Sequence, residues 1–208
     1  MQVFFKPDVY LTLPLYSNLQ TKGLYVYGRN FDLDNATADI RVEAEVRNEG
    51  KVPVSAQLRI TLRRPDGSVA AIFDGAPAIA APADAYIPDE AVPGHYRPVE
   101  DESLPAPTAT DSMAVTVLHA GADTLPLRFW SIDDPYLYTV EAELFVNGEK
   151  TDAQQLTTGF RAVSYDKDRG LRINGAVQWL RGYAQRAANE WAAIGIAPEW
   201  LHDEDRLV

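Results

Sequence analysis

The sequence predicts an all-β chain, and three observations carry that expectation. Apolar and polar residues alternate with period two through several short segments. Asn-Gly pairs, the strongest short hairpin signal, stand at 147–148 and 174–175. Helical periodicity is missing from the first half of the chain.

Taken in order, residues 9–13 and 24–27 are β-branched and aromatic enough to be strands, separated by turn-prone Ser17, Asn18 and Gly23. Over 39–48, Ile40, Val42, Ala44 and Val46 alternate with Arg41, Glu43, Glu45 and Arg47, a strand with one buried and one wet face. Leu58, Ile60 and Leu62 repeat the pattern against Arg59, Thr61 and Arg63. Pro65-Asp66-Gly67 supplies a turn before a short run at 69–73. Strands resume at 113–118 and, most clearly, where Val140, Ala142, Leu144 and Val146 alternate with Thr139, Glu141, Glu143 and Phe145. After Asn147-Gly148, residues 156–165 read as the return strand. Roughly eight short strands before residue 166 suit a β-sandwich of the immunoglobulin type.

Residues 76–107 interrupt this texture. Seven of the fourteen prolines fall there. Proline removes ladder donors, so the segment is expected to be an insertion rather than a central strand. It is either a solvated loop between two strands or a loop reaching over a neighbouring cleft.

Composition narrows the function. The 208 residues carry 19 Lys and Arg against 30 Asp and Glu, a formal charge of −11. Nucleic-acid backbones are bound mainly by Lys and Arg, so no nucleic-acid partner is expected, nor a polybasic membrane anchor. No apolar run reaches the roughly 18–20 residues of a membrane span, so no membrane insertion is expected. The chain has no Cys, which excludes disulfides, thiolate metal sites and a cysteine nucleophile. His95, His119 and His202 show no metal spacing and read as isolated surface or loop residues. Asp32, Asp34 and Asp39 suggest calcium only weakly, because the regular oxygen spacing and central Gly of an EF-hand are missing. Neither a metal nor a cofactor is therefore expected. No phosphate loop and no G-x-S-x-G element is present.

After residue 165 the pattern changes. Ala and Trp become common, strand alternation stops after 183, and Asp203-Glu204-Asp205-Arg206-Leu207-Val208 looks like a helix start. One and a half turns are not stable alone, which reads as a gene product cut just as a helix begins.

Three segments carry a family resemblance. Trp130-Ser131-Ile132-Asp133-Asp134-Pro135-Tyr136-Leu137-Tyr138, then Gly159-Phe160-Arg161, then Leu171-Arg172-Ile173-Asn174-Gly175 through Leu180-Arg181-Gly182 resemble, in order and spacing, the "PYLY", "GFR" and "LNG…LRG" elements of glycoside hydrolase family 2. The resemblance implies a modular β-glycosidase of the β-galactosidase and β-glucuronidase kind, with a jelly roll, an immunoglobulin-like sandwich and a (β/α)8 barrel. Residues 1–165 would be the sandwich and 166–208 the hairpin, first strand and helix start of a truncated barrel. The chain's partners would be its own missing jelly-roll and barrel domains, and the parent's substrate a carbohydrate. A periplasmic or secreted location fits such a bacterial parent, although no signal is visible here. The family's two catalytic glutamates come from late barrel strands, so both are expected beyond Val208 and the fragment alone is expected to be inactive. Asn189-Glu190 only superficially imitates the acid/base pair. Many family β-galactosidases follow "LRG" with Asn-x-His; here Tyr183-Ala184-Gln185-Arg186-Ala187-Ala188-Asn189 has no histidine, which leaves the sugar open.

The resemblance also makes Arg181 the candidate substrate-binding residue, at the barrel rim. A fixed cation there would steady a carboxylate in its charged form; the alternative is a structural ion pair. Trp130 and Tyr138 are expected in core or interdomain packing. Trp179, Trp191 and Trp200 divide between packing and a sugar platform. Asp133 or Asp134 is expected to accept backbone N–H groups in a turn. The rival to the glycosidase reading is a free-standing carbohydrate-binding or adhesion module.

Overall fold

A computed structural model describes residues 5–13, 21–83, 86–88, 96–98, 115–179, 188–189 and 193–194. The chain divides into two compact units, Met1–Val177 and Gln178–Val208. The first unit is an immunoglobulin-like β-sandwich, and among the described residues there is no α-helix.

One sheet is built around β3 (Thr37–Asn48). Along one edge of it lie β1 (Val9–Leu11) and β2 (Leu24–Asp32) end to end, pairing with its C-terminal and N-terminal parts respectively. Its other edge pairs with the long strand Thr116–Pro126. The second sheet is built around β4 (Val54–Arg63), which shares one edge between β5 (Val69–Asp74) and β6 (Ala78–Ala80). A short hairpin joins β7 (Tyr86–Pro88) to β8 (Tyr96–Pro98), after which Thr116–Pro126 is β9. The second sheet is completed by β10 (Tyr138–Val146) on the other edge of β4 and by β11 (Glu149–Thr158) beyond it. Every pairing between these strands is antiparallel.

The core follows from the alternation. Ala38, Ile40, Val42, Ala44 and Val46 of β3 are sealed from solvent, as are Leu58, Ile60 and Leu62 of β4 and Val140, Ala142 and Leu144 of β10. They face one another across the sandwich with Leu11 and Leu118. Each large aliphatic side chain so buried contributes roughly 1.5–3 kcal/mol. The intervening residues, Arg59, Arg63, Glu141 and Glu143 among them, form ion pairs on the outer face: Arg59 with Asp74, Arg63 with Glu141, and Lys150 with Glu143.

The structure shifts three sequence expectations. The return strand begins directly after Asn147-Gly148, at Glu149 rather than 156, and ends at Thr158. Asn147 and Gly148 both have positive φ (50° and 88°), the two-residue turn whose twist lets pairing restart at once. Strand β11 is an edge, so its polar residues cost nothing and hid it from a hydrophobicity search. Residues 163–166 belong instead to a separate sheet. Second, β9 runs eight residues past the expected end at 118, through Ala-Gly-Ala-Asp-Thr of low strand propensity, because β3 supplies its hydrogen bonds. Third, the proline-rich segment is not wholly an insertion. Ala78–Ala80 pair with the edge of β4, and buried Asn48 donates from Nδ2 to the Ala80 and Val52 carbonyls while Oδ1 accepts the Gly50 N–H. Pro77 and Pro82 flank this pairing, where a missing donor is harmless.

After the sandwich, β12 (Val163–Asp166), β13 (Gly170–Ile173) and β14 (Ala176–Val177) form a three-stranded sheet, with Asn174-Gly175 as its second turn. In the second unit, β15 (Ala188–Asn189) and β16 (Ala193–Ile194) pair as a two-residue ladder.

Candidate functional site

At one end of the sandwich the connection 127–137 and the segment 159–162 lie between strand ends, and the second turn of the small sheet joins them. Chain order separates these pieces by up to 44 residues; hydrogen bonds bring them together. The Trp130 N–H donates to the Phe160 carbonyl at 2.9 Å. The Asn174 Nδ2 donates to the Trp130 carbonyl at 2.9 Å, and its Oδ1 accepts the Ala162 N–H at 3.0 Å. The Asn174 N–H in turn donates to the Ala162 carbonyl at 2.8 Å. Asn174 sits at φ 47°, a left-handed conformation that Asn tolerates far better than most residues.

Packing matches the bonding. The Arg161 guanidinium lies 4.7 Å over the Trp130 ring, a contact between a cation and a π face. Gly159 is required beneath that ring: a Cβ there would stand 2.8 Å from Trp130. Tyr138 is 2% exposed and rests against Phe160 and Tyr136 at ring separations of 5.6 and 5.1 Å. Its hydroxyl accepts the Arg128 N–H, and burial pushes its pKa above the ordinary phenol value. Phe31 meets Phe129 edge to face at 5.4 Å.

The Asp133-Asp134-Pro135 turn differs from expectation. Among the described residues no backbone N–H donates to the Asp134 carboxylate; it takes both Arg128 Nε and Nη2, at 2.7 and 2.8 Å. The turn is closed by main-chain groups, with the Ser131 and Tyr136 N–H donating to the Asp134 carbonyl, and by Ser131 Oγ accepting the Asp134 N–H. The fork of Arg128 matches a carboxylate better than any single amide can. Its guanidinium also covers the Tyr136 ring at 4.6 Å, and the Asp134 pairing holds the Arg128 pKa above its usual value. Sequence reasoning missed Arg128 and the contact of Asn174 with Trp130; an arginine six residues before an acidic turn was the available signal for the first.

The other candidates fall into three groups. Asp32 closes the β2–β3 turn, accepting the Asp34 and Asn35 N–H and the Asn35 Nδ2. Asp39 accepts the Thr124 N–H and Asn30 Nδ2. Both carboxyls are held below the usual carboxylate range, Asp32 mainly by Asn35 and Asp39 mainly by the Thr124 N–H. These oxygens serve turns and register. Among the described residues no three acidic or His side chains are grouped to hold a metal ion. His119 is exposed on β9, and Trp179 is 88% exposed. Arg181, Glu190, Trp191, Trp200, His95, His202 and the helix start at 203–208 lie outside the described residues, and of Asn189 only the backbone strand is described.

The junction joins the Trp130 segment, residues 159–161 and the turn at Asn174-Gly175, while Leu180-Arg181-Gly182 lies outside the described residues. The chain is 31% identical over 196 residues to a β-glucuronidase of Formosa agariphila, covering 94% of this chain and 17% of that protein. It superposes on a β-glucuronidase of glycoside hydrolase family 2 with a TM-score of 0.63 and 27% identity, over 96% of this chain and 18% of that one. A Bacteroides uniformis β-glucuronidase shares the fold at a TM-score of 0.65 and 19% identity, over 97% and 20% of the two chains. The chain thus spans under a fifth of the curated relative's length. Residues 29–161, more than half of the chain, match the profile of glycosyl hydrolases family 2. Strands β3 to β11, the buried tyrosine and the glycine under the tryptophan fall inside that match, and the chain belongs to glycosyl hydrolases family 2.

Proposed function

We propose that the chain is the non-catalytic, immunoglobulin-like middle domain of a retaining family 2 enzyme that hydrolyses β-linked glycosides. In this reading residues 1–165 are the sandwich, and 166–208 lead into a (β/α)8 barrel that carries both catalytic glutamates beyond Val208. A jelly-roll domain and the barrel would be its partners, with Arg181 at the barrel rim. The observation that carries the proposal is the junction of Trp130, Phe160 and Asn174, which spends its polar groups on fixing chain direction. A catalytic constellation keeps such groups pointed at a cleft; a joint uses them internally.

The small sheet supports the same reading. Register puts Val163, Tyr165, Leu171, Ile173 and Ala176 on one face, and Tyr165 is 80% exposed. An apolar face of this kind suits contact with a following domain. As for substrate, a β-glucuronide is the first class to test, since the relatives at 31% and 27% identity described above are named β-glucuronidases.

The test is turnover of p-nitrophenyl β-glucuronide and β-galactoside by the purified 208-residue chain. No activity is expected. Turnover that survives repurification and disappears in Glu190→Gln would overturn the assignment of a non-catalytic role.

A further inference from the structure

The outer face of the first sheet carries two cross-strand rows that the junction does not use. Tyr25, Glu43 and His119 stand opposite one another on β2, β3 and β9; so do Tyr27, Arg41 and Gly121 one step along. With strands about 4.8 Å apart, each row spans about 10 Å. Tyr25 is 58% exposed, and its ring lies 5.2 Å from that of Tyr27 at 32°, so the two make a tilted aromatic step. The Tyr27 hydroxyl donates to Glu43 Oε1 at 2.9 Å. That bond fixes the carboxylate and leaves its second oxygen turned to no other described donor. Gly121 has no side chain, and Arg41 lies flat over it, where a Cβ would come within 2.9 Å of the arginine Cδ. The Arg41 guanidinium pairs with Asp123 at 2.6 Å. Two shallow grooves, about 480 and 340 Å³, meet at this pair: one runs past Asp39 and Thr124, the other past His119 and Asp74.

The geometry points to a binding surface for a neutral oligosaccharide on this face. A pyranose offers a C–H face that packs on an aromatic ring and a rim of hydroxyls that both donate and accept. Tyr25 and Tyr27 supply the platform; Glu43 and the Arg41–Asp123 pair supply fixed acceptors and donors beside it, and exposed His119 supplies a further one. The sign of the charge selects among sugars. Glu43, Asp39 and Asp123 outnumber Arg41 and Arg29, which stands opposite Asp39, so a uronate chain is repelled where a neutral one is not. The site therefore differs from a pocket that turns over a uronide, and binding here needs no catalysis anywhere in the protein.

The experiment is an amide-resolved NMR titration of the 208-residue chain with cellotetraose, mannotetraose and galactotetraose, and with tetragalacturonate as the acidic arm. At least one neutral tetrasaccharide should move the amides of residues 25–27, 41–43 and 119–121, and tetragalacturonate should not. Tyr25→Ala and His119→Ala, both at exposed positions, should each weaken binding about tenfold, roughly the loss of one aromatic or hydrogen-bonding contact, with unchanged melting temperature. The proposal is overturned if no neutral sugar shifts these amides, if the shifts map elsewhere, if Tyr25→Ala binds as well as the parent, or if the acidic sugar binds equally. Shifts of the same residues on raising protein concentration without sugar would assign the face to self-association and likewise overturn it.

Discussion

The side-chain amide of Asn174 reaches back 44 residues to the carbonyl of Trp130, at 2.9 Å. This bond ties the turn of the small sheet to the connection between the two sheets of the sandwich. Trp130 is itself tied to Phe160, so three stretches distant in sequence share one set of hydrogen bonds. Because they share one anchor, moving any one of them would leave polar groups of the other two unpaired.

Two substitutions separate the bonds from the backbone strain. Asn174→Gly keeps the positive φ and loses only the side-chain bonds to the Trp130 carbonyl and the Ala162 N–H; about 1–3 kcal/mol of destabilisation is expected. Asn174→Ala loses the same bonds and adds the cost of a left-handed alanine, so it should be the less stable of the two. Chemical denaturation of the three proteins measures both steps.

A second lock holds the start of the chain. Asp152 on edge strand β11 accepts Lys6 Nζ at 2.7 Å and the Leu11 N–H at 2.9 Å, and Gln154 donates to the Leu11 and Thr12 carbonyls. The Asp152 side chain is 11% exposed. Asp152→Ala should cost about 1–3 kcal/mol, because it leaves the Leu11 N–H and a largely covered ammonium without their partner. Lys6→Ala should cost less. A double-mutant cycle read by denaturant unfolding gives the coupling, and equal losses from the two substitutions would contradict this ranking.

Much of this was legible in the sequence, for a physical reason. Strands with one buried face, such as β3, β4 and β10, write their alternation into the residues, and all three appear near their expected bounds. Edge strand β11 and the Ala-Gly-rich end of β9 do not, since their pairing comes from a neighbour rather than from their own burial. The tryptophan and tyrosine of the junction were legible as packing residues, and Tyr138 is one of the core's buried side chains. Asn174 was legible only as a turn former. Its second use, toward Trp130, depends on a tertiary proximity that no local pattern encodes.

The response to acid follows from five aspartates. Asp32, Asp39, Asp66, Asp74 and Asp166 are all held below the ordinary carboxylate value, chiefly by Asn35, the Thr124 N–H, Ser68, Arg59 and the Asp168 N–H respectively. A depressed native pKa means that the unfolded chain takes up protons first as pH falls. The stabilisation is complete above the unfolded value of about 3.9 and is lost on descending through the lower native values. Melting temperature should therefore stay level from pH 7 to about 5 and drop below about 4. A decline that begins above pH 5 would point to groups other than these.

The central claim is that the three motif segments form one rigid joint, and hydrogen exchange of single amides measures it most directly. The N–H groups of Trp130, Ala162 and Asn174 all lie outside the sandwich strands and are all donated within the junction. If the joint is rigid, their exchange should be slowed to within about tenfold of Val140 in the core strand β10, which opens only with the domain. Exchange of these three at the rate of an exposed turn, with Val140 still protected, would show that the motifs meet without locking and would contradict the account.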